Sequence, residues 1–421
     1  MNMRKVDILI IGGGPAGLSA GIEAYKQGVK NILIIERNKI LGGILNQCIH
    51  NGFGLHYFKE ELTGPEYADK LIKEARVLDI PIALETMVLN LTKDKIVTVL
   101  SENGIEDIEA KTVILAMGCR ERPRGAINIP GERCAGVFSA GTAQEMVNLK
   151  GLKVGKEAVI LGSGDIGLIM ARRLTFEGTK VKCVVELMPY SSGLKRNIVQ
   201  CLDDFGIPLK YNSTIIDIVG KDRVEGVYIA KVDESKIPII GTEEFISCDT
   251  ILLSVGLLPE NELSKTADVE LFSLTGGPIV NSNLHTNIDG IFACGNVLHV
   301  HDLVDNVSLE GEQAARSAVK YLKTNSLKKG EIPVTLKEGV RYIIPHTVCD
   351  DIKSSDETLE LKFRSDNVYA KSTVNVYING HKVKSKKYRI ITPGEMEIFK
   401  LTPDLLKEQD TIKTIEIGIE V

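Results

Sequence analysis

Val6-Asp-Ile-Leu-Ile-Ile-Gly12-Gly-Gly14-Pro15-Ala16-Gly17 and, 150 residues on, Ala158-Val-Ile-Leu-Gly162-Ser-Gly164-Asp165-Ile166-Gly167 are one pattern written twice. Each copy is a short apolar run, which reads as a buried strand, closed by Gly-x-Gly-x-x-Gly. The glycines permit a tight turn and let backbone N–H groups approach a pyrophosphate at the N-terminus of the helix that follows. In the first copy Pro15 suits the first helical turn and Gly21 keeps helix and strand close. A second strand, Ile32–Ile35, then delivers Glu36, 24 residues after Gly12, to accept from a ribose diol. The second copy has Ala171 as its small residue and the strand Val181–Val185, and it ends on Glu186, again 24 residues on. A lone glycine fingerprint is weak; a strand, turn, helix and terminal acid in register, twice, predict two nucleotide-binding folds. At the second fold a carboxylate accepts from a free 2′-hydroxyl and repels a 2′-phosphate, which predicts NAD(H) over NADP(H). Lys180 and Lys182 lie close enough in sequence to soften that preference.

Around the two fingerprints the sequence alternates strands and amphipathic helices: a helix over 65–78, strands over 96–100 and 112–116, a helix over 141–148 and a strand over 250–255. That is the rhythm of α/β layers. Near residue 330 the texture changes to period-two alternation, as in Leu359-x-Leu361-x-Phe363 and Val374-x-Val376-x-Ile378, with Asn379-Gly380 placed as a hairpin turn. The fold class expected is therefore α/β: two Rossmann-like three-layer domains, the second inserted in the first, followed by an all-β sandwich-like domain. The expected boundaries are 1–125 with 270–328 for the first fold, 126–269 for the second and 329–421 for the β domain.

Composition narrows the function class. With 421 residues, 25% of them charged, and a net charge of −5, the chain lacks the basic excess that nucleic acid or a membrane surface would favour. No apolar run approaches the roughly 18 residues of a membrane span. The opening segment is read as a first strand rather than a signal peptide, because Asp7 interrupts its apolar run. Eight cysteines without a C-x-x-C or a secreted framework suit a reducing cytoplasm.

The two fingerprints, Thr112-Val-Ile-Leu-Ala116-Met-Gly118 with Ile129-Pro-Gly131, and Thr286-Asn-Ile-Asp-Gly-Ile-Phe-Ala-Cys-Gly295-Asn296 together resemble the pyridine nucleotide-disulfide oxidoreductase superfamily. The resemblance implies FAD on the N-terminal fold and a nicotinamide nucleotide on the inserted one. It assigns Gly12, Gly14, Pro15, Ala16, Gly17, Glu36 and Arg37 to FAD, together with Gly42, Gly43, Ala116, Gly118, Gly295 and Asn296. The family usually has an Asp where this chain has Asn296, so the negative charge there is missing. Val307 and Ser308 are assigned to the flavin as well, in a helix whose N-terminus, with about half a positive charge, would stabilise the anionic reduced ring. Ser308 is expected to cap that helix. Gly162, Gly164, Asp165, Ile166, Gly167, Glu186 and Gly256 are assigned to NAD(H).

The disulfide reductases of this superfamily carry two cysteines after the first acid. Here Gly42-Gly43-Ile44-Leu45 runs on to His50, and Cys48 sits between the two expected positions, so the dithiol is absent. Cys48 and His50 are the candidate catalytic residues: a thiolate that relays electrons if the imidazole lowers its pKa, against a small buried hydrophobe and a packed histidine. His299, His301 and Asp302 form the sole His-Asp cluster, without a clear third ligand, and no metal is expected there.

Gly43–Leu55, Cys119-Arg120-Glu121-Arg122 and His301–Asp305 resemble a narrower group: flavoproteins found with anaerobic glycerol-3-phosphate dehydrogenases and related to opine oxidase and hydrogen cyanide synthase subunits. The resemblance implies hydride transfer between NAD(H) and FAD and electron exchange with a partner redox protein or dehydrogenase subunit. A homo- or hetero-oligomer is expected, with the β domain as a docking or oligomerisation module. The alternatives are a self-contained NADH oxidase or peroxidase working through Cys48, and a structural flavoprotein scaffold.

Overall fold

The computed structural model describes residues 3–327, 330–354 and 356–421. The chain divides into two compact units, Met1–Cys119 with Pro259–Val421, and Arg120–Leu258. The boundary expected at 328/329 lies outside the described residues. Among the described residues, no helix is long and apolar enough to cross a membrane.

The first unit is organised on the strand Arg4–Ile11. It runs parallel to Ile32–Ile35 on one side and to the second half of Gly104–Leu115 on the other, with Ile11 opposite both Ile35 and Leu115. Ile8, Leu9 and Ile10 are fully buried, because a parallel strand covered on both faces has no solvent side and reads as a continuous apolar run. The strand Ile291–Ala293, which follows the insertion in sequence, joins the far side of Gly104–Leu115. The helices Pro15–Lys26 and Val304–Thr324 lie against each other, close enough that a Cβ on Gly311 would stand 2.3 Å from the Ala16 carbonyl oxygen. The helix expected over 65–78 is Gly64–Val77. Thr63 begins it, accepting from the Glu66 N–H while Glu66 reaches back to the Thr63 N–H.

The second unit has a five-stranded parallel sheet in the order Val137–Ser139, Thr250–Leu253, Glu157–Leu161, Lys180–Val185, Leu209–Lys210. Side-chain alternation divides it cleanly. Ile160, Val184 and Leu252 pack with helix residues Leu168, Ala171 and Leu174, whereas Val159, Leu161, Val185 and Ile251 pack with Ile215, Val227 and Ile229. The latter belong to a three-stranded antiparallel sheet, Ser213–Gly220, Val224–Lys231 and Glu244–Ser247. The layers are thus helix, parallel sheet, antiparallel sheet.

The C-terminal part of the first unit carries a five-stranded sheet and a three-stranded one, and a single core draws Val374, Val376 and Ile417 from the first and Leu361, Phe363 and Phe399 from the second. Two sheets sharing one core make the sandwich-like domain. Asn379 and Gly380 have φ of 52° and 80° and join Tyr369–Ile378 to His381–Ile391, with Ile378 opposite His381. Positive φ at both central residues is the requirement that Asn-Gly meets best.

Candidate functional site

The first fingerprint is a tight turn forced by contact. A Cβ on Gly17 would stand 1.9 Å from the Gly12 oxygen, and one on Gly12, whose φ is 112°, 2.4 Å from the Ala116 oxygen. Gly14, by contrast, faces open space: a Cβ there meets nothing within 4 Å. It begins the helix Pro15–Lys26 without a side-chain cap or an acid in the first turn. The first-turn N–H groups and the positive end of the dipole are thereby left to an anion. Glu36, 6% exposed, is already oriented: Oε2 accepts from the Gly13 N–H and Oε1 from the Asn38 N–H, both at 2.8 Å. Arg37 is exposed beside it.

Several of the expected flavin residues converge on this turn. Gly42, in a left-handed conformation, donates to the Gly13 oxygen at 2.9 Å, and a Cβ on Gly43 would stand 3.3 Å from Gly14 Cα. The Ala116 N–H bonds to Ile11 at 2.9 Å, and Gly118, with φ 73°, opens to free space. A Cβ on Gly295 would stand 2.9 Å from Ala16 and 3.2 Å from Val307, so these three meet where the two long helices come together. Asn296 Oδ1 accepts from the His301 N–H at 3.0 Å, and its Nδ2 reaches Cys119 Sγ at 3.6 Å.

The helix expected to begin at Ser308 begins instead at Val304, with Leu303 as an N-cap that has no side-chain bond. Ser308, fully buried one turn in, accepts from the Tyr67 hydroxyl at 2.8 Å, so it is no cap. Asp305 occupies the first turn; its carboxylate accepts from the Tyr57 N–H at 2.7 Å and the Gly54 N–H at 3.2 Å. An acid there suits the helix dipole and fastens the 54–57 loop to the helix.

The inserted unit repeats the first arrangement with additions of its own. Gly162 has φ 95° and a Cβ there would stand 2.1 Å from the Ser254 oxygen. Its N–H bonds to Val185 at 2.7 Å, as the Gly12 N–H bonds to Ile35 at 2.8 Å. Glu186 Oε2 accepts from the Ser163 N–H at 2.9 Å and from the Ser163 hydroxyl at 2.5 Å, while Oε1 accepts from the Met188 N–H at 2.8 Å. Gly164 begins the helix Asp165–Phe176, and the Gly167 N–H is taken by Ser254 Oγ at 3.1 Å. Asp165 holds the Leu194 N–H at 2.8 Å and the Asn197 amide at 2.7 Å, and Ile166 is half-buried. Gly256, at φ 97°, has open space around it.

A profile of the family described as pyridine nucleotide-disulphide oxidoreductase matches residues 6–320. The chain belongs to this family. Family members bind FAD and NAD(P)H, and membership makes the chain an oxidoreductase by class. Among curated relatives it is 30% identical over 333 residues to a subunit of the alkyl hydroperoxide reductase of Staphylococcus aureus, covering 77% of this chain and 60% of that one. It is 25% identical over 284 residues to hydrogen cyanide synthase subunit HcnB of Pseudomonas protegens, covering 62% of this chain and 59% of that one. The chain therefore spans about three fifths of the length of these relatives. Among solved structures, the T. acidophilum thioredoxin reductase superposes with a TM-score of 0.62 at 24% identity, over 77% of this chain and 100% of that one, which shows the shared fold.

The family resemblance drew attention to Cys48 and His50. Cys48 follows the short turn Gly43–Gln47, its Sγ lies 3.4 Å from the Ile44 oxygen, and burial pushes its thiol up to about 12. The His50 ring contacts the Asn51 oxygen at 3.1 Å and leans on Phe53 at 4.9 Å between centroids.

What the sequence did not disclose is a buried polar cluster behind the Gly295 turn. Glu310, fully buried, accepts from the Gly295 N–H at 2.7 Å through Oε2, contacts His301 Nε2 at 3.2 Å and His299 Nε2 at 3.2 Å, and pairs with Lys362 Nζ at 2.7 Å. The third ligand missing beside His299 and His301 in the sequence is thus present in space, since the three ligand atoms lie within 4.8 Å of one another. Two observations favour an internal ion pair over a metal. Lys362 holds the place beside Glu310 that a cation would take. The Nδ1 atoms of both histidines have no partner among the described residues, where metal-bound imidazoles ordinarily donate that N–H. Burial pushes Glu310 up, but Lys362 and the two histidines outweigh it and hold the carboxyl below its usual range; burial and His299 hold His301 well below the usual imidazole range.

Proposed function

We propose that the chain is an NADH-linked, FAD-dependent oxidoreductase that exchanges electrons with a partner redox protein or dehydrogenase subunit. The observation that carries this reading is the doubling of one site: two glycine turns, each with its acid pre-oriented by backbone donors, Glu36 by Gly13 and Asn38, Glu186 by Ser163 and Met188. FAD is placed at Gly12, Gly14, Pro15, Ala16, Gly17, Glu36, Arg37, Gly42, Gly43, Ala116, Gly118, Gly295, Asn296, Val307 and Ser308. NAD(H) is placed at Gly162, Gly164, Asp165, Ile166, Gly167, Glu186 and Gly256. When bound, the two cofactors supply the chemistry, moving a hydride between nicotinamide and flavin.

The protein's own work is to hold them. Gly14 and the uncapped first turn give a pyrophosphate its donors. Glu36 and Glu186 accept from ribose hydroxyls, and the fixed negative charge of Glu186 disfavours a 2′-phosphate. Asn296, with its oxygen bonded to the His301 N–H, directs its amide N–H groups as donors.

The sequence lacks the dithiol of the disulfide reductases, and burial pushes the Cys48 thiol up to about 12, which favours an electron acceptor outside this chain. Both curated relatives above are named as subunits, which supports a partner, and a glycerol-3-phosphate dehydrogenase system is the candidate. The eight cysteines form no C-x-x-C and no secreted framework in the sequence, which supports a cytoplasmic setting.

The test is anaerobic stopped-flow absorbance near the flavin band, with NADH and separately with NADPH. Bleaching by NADH at least about tenfold faster than by NADPH is expected. A bound flavin that neither nucleotide bleaches would overturn the reading.

A further inference from the structure

The strand Leu359–Ser365 lies in the β-sandwich, beyond the end of the family match at residue 320. Two of its side chains, Lys362 and Arg364, project from one face and reach the segment that follows Gly295. Arg364 pairs with Asp302 and donates to the Val300 oxygen at 3.1 Å, and Asp302 also accepts from the Met396 N–H at 2.6 Å. Lys362 pairs with Glu310, whose other oxygen holds the Gly295 N–H. The turn that presents Asn296 is thus fixed from behind by a carboxylate whose charge the sandwich domain neutralises.

We propose that Lys362 is a positioning residue of the flavin site, acting through Glu310 on the Gly295-Asn296 turn, so that the C-terminal domain is a working part of flavin binding. The inference rests on the flavin reading of the first unit given above. A buried ion pair is poor evidence for stability alone, since apolar residues of similar volume often serve as well. What such a pair does supply is direction. Without Lys362 the buried Glu310 carboxylate loses the charge that balances it, and a carboxylate that turns away toward water releases the Gly295 N–H.

The test is FAD titration of the deflavinated full chain, with NADH affinity as a control. Lys362→Met is expected to weaken FAD about tenfold or more, and Glu310→Gln/Lys362→Met, which removes both charges but keeps an acceptor for Gly295, to recover to within about threefold of wild type. An FAD affinity unchanged in Lys362→Met while its melting temperature falls would reduce the pair to a structural one and overturn the inference. A double variant no better than the single would do the same. Should Lys362→Met fail to fold, Glu310→Ala/Lys362→Met, which lacks the acceptor, is compared with the Gln double: FAD about tenfold weaker supports the inference and equal affinity overturns it. Wild-type protein that takes up no FAD would overturn both the flavin reading and this inference, a result visible before any variant is made.

Discussion

Glu36 and Glu186 are held by equivalent backbone donors: Oε2 by the N–H of the residue after the first fingerprint glycine, Oε1 by the N–H two positions beyond the acid. The difference is Ser163, whose hydroxyl adds a third bond to Glu186. Replacing Glu186 by Ala should cut the preference for NADH over NADPH in flavin reduction by about tenfold, or ~1.4 kcal/mol. Ser163→Ala should raise the NADH KM several-fold at most, for a bond of about 1 kcal/mol. Flavin content should be unchanged in both. Reduction rates with each nucleotide check the pair.

Cys48 is expected to be inert. With its thiol pushed up to about 12, the thiolate fraction at pH 8 is roughly a thousandfold below that of an ordinary cysteine. Alkylation of the native protein followed by mass spectrometry should leave Cys48 unlabelled, and Cys48→Ser should reduce its flavin with NADH within twofold of wild type. A large fall in peroxide turnover in that variant would favour the self-contained peroxidase.

Stability should fall with acid well before the carboxylates titrate. Burial lowers His346 from 6.5 to about 4, with its Nδ1 taking the Val280 N–H at 3.2 Å and its Nε2 without a partner among the described residues. The unfolded chain binds this proton first, so the stabilisation is complete above pH 6.5 and is lost as pH falls toward 4. His346 contributes at most about 3 kcal/mol over that window. His301, also lowered, adds to the same slope, whereas the contribution of Glu310 is present above 4.5 and is lost only below it. Urea midpoints between pH 7 and 4.5 should decline, and His346→Asn, which keeps an acceptor for Val280, should flatten the decline.

Asp305 is the anchor of the 54–57 loop. Its replacement by Ala strands two N–H groups around a 1%-exposed site, at a cost of about 3 kcal/mol, and Asp305→Asn should cost about half as much. Denaturant unfolding gives the energies, and faster proteolysis between Gly54 and Lys59 would locate the effect.

Much of what is local in the fold was legible in the sequence. The two fingerprints, their acids and the Asn379-Gly380 turn each depend on residues a few positions apart, and steric necessity at Gly12, Gly17 and Gly162 leaves few alternatives. The Glu310 cluster was not legible, because Lys362 lies 52 residues away on a strand of another sheet and nothing in its neighbourhood marks it. One signal was there. Glu310 stands among Val307, Gly311, Ala314 and Ala315, all on the buried face of the helix, and a charge in a stripe of small apolar residues calls for a partner. Placing the helix start at Ser308 instead of Val304 left Val307 out of the helix and shortened that stripe. Arg124 was missed for a similar reason: its guanidinium donates to the carbonyls of Ile129, Pro130, Gly131 and Glu132, contacts set by the shape of a loop rather than by a motif.

The interruption of the first unit between Cys119 and Pro259 sets an order of events on the ribosome. The strand Arg4–Ile11 is made early, yet its sheet lacks Ile291–Ala293, and the helix Pro15–Lys26 lacks the helix Val304–Thr324, until most of the chain has emerged. The inserted unit draws its whole sheet from residues 137–253 and can close first, as contiguous domains generally do during synthesis. The nascent N-terminal strands, among the most apolar in the protein, are left waiting with an open edge. They are the segment on which a chaperone, or a neighbouring nascent chain, would act first.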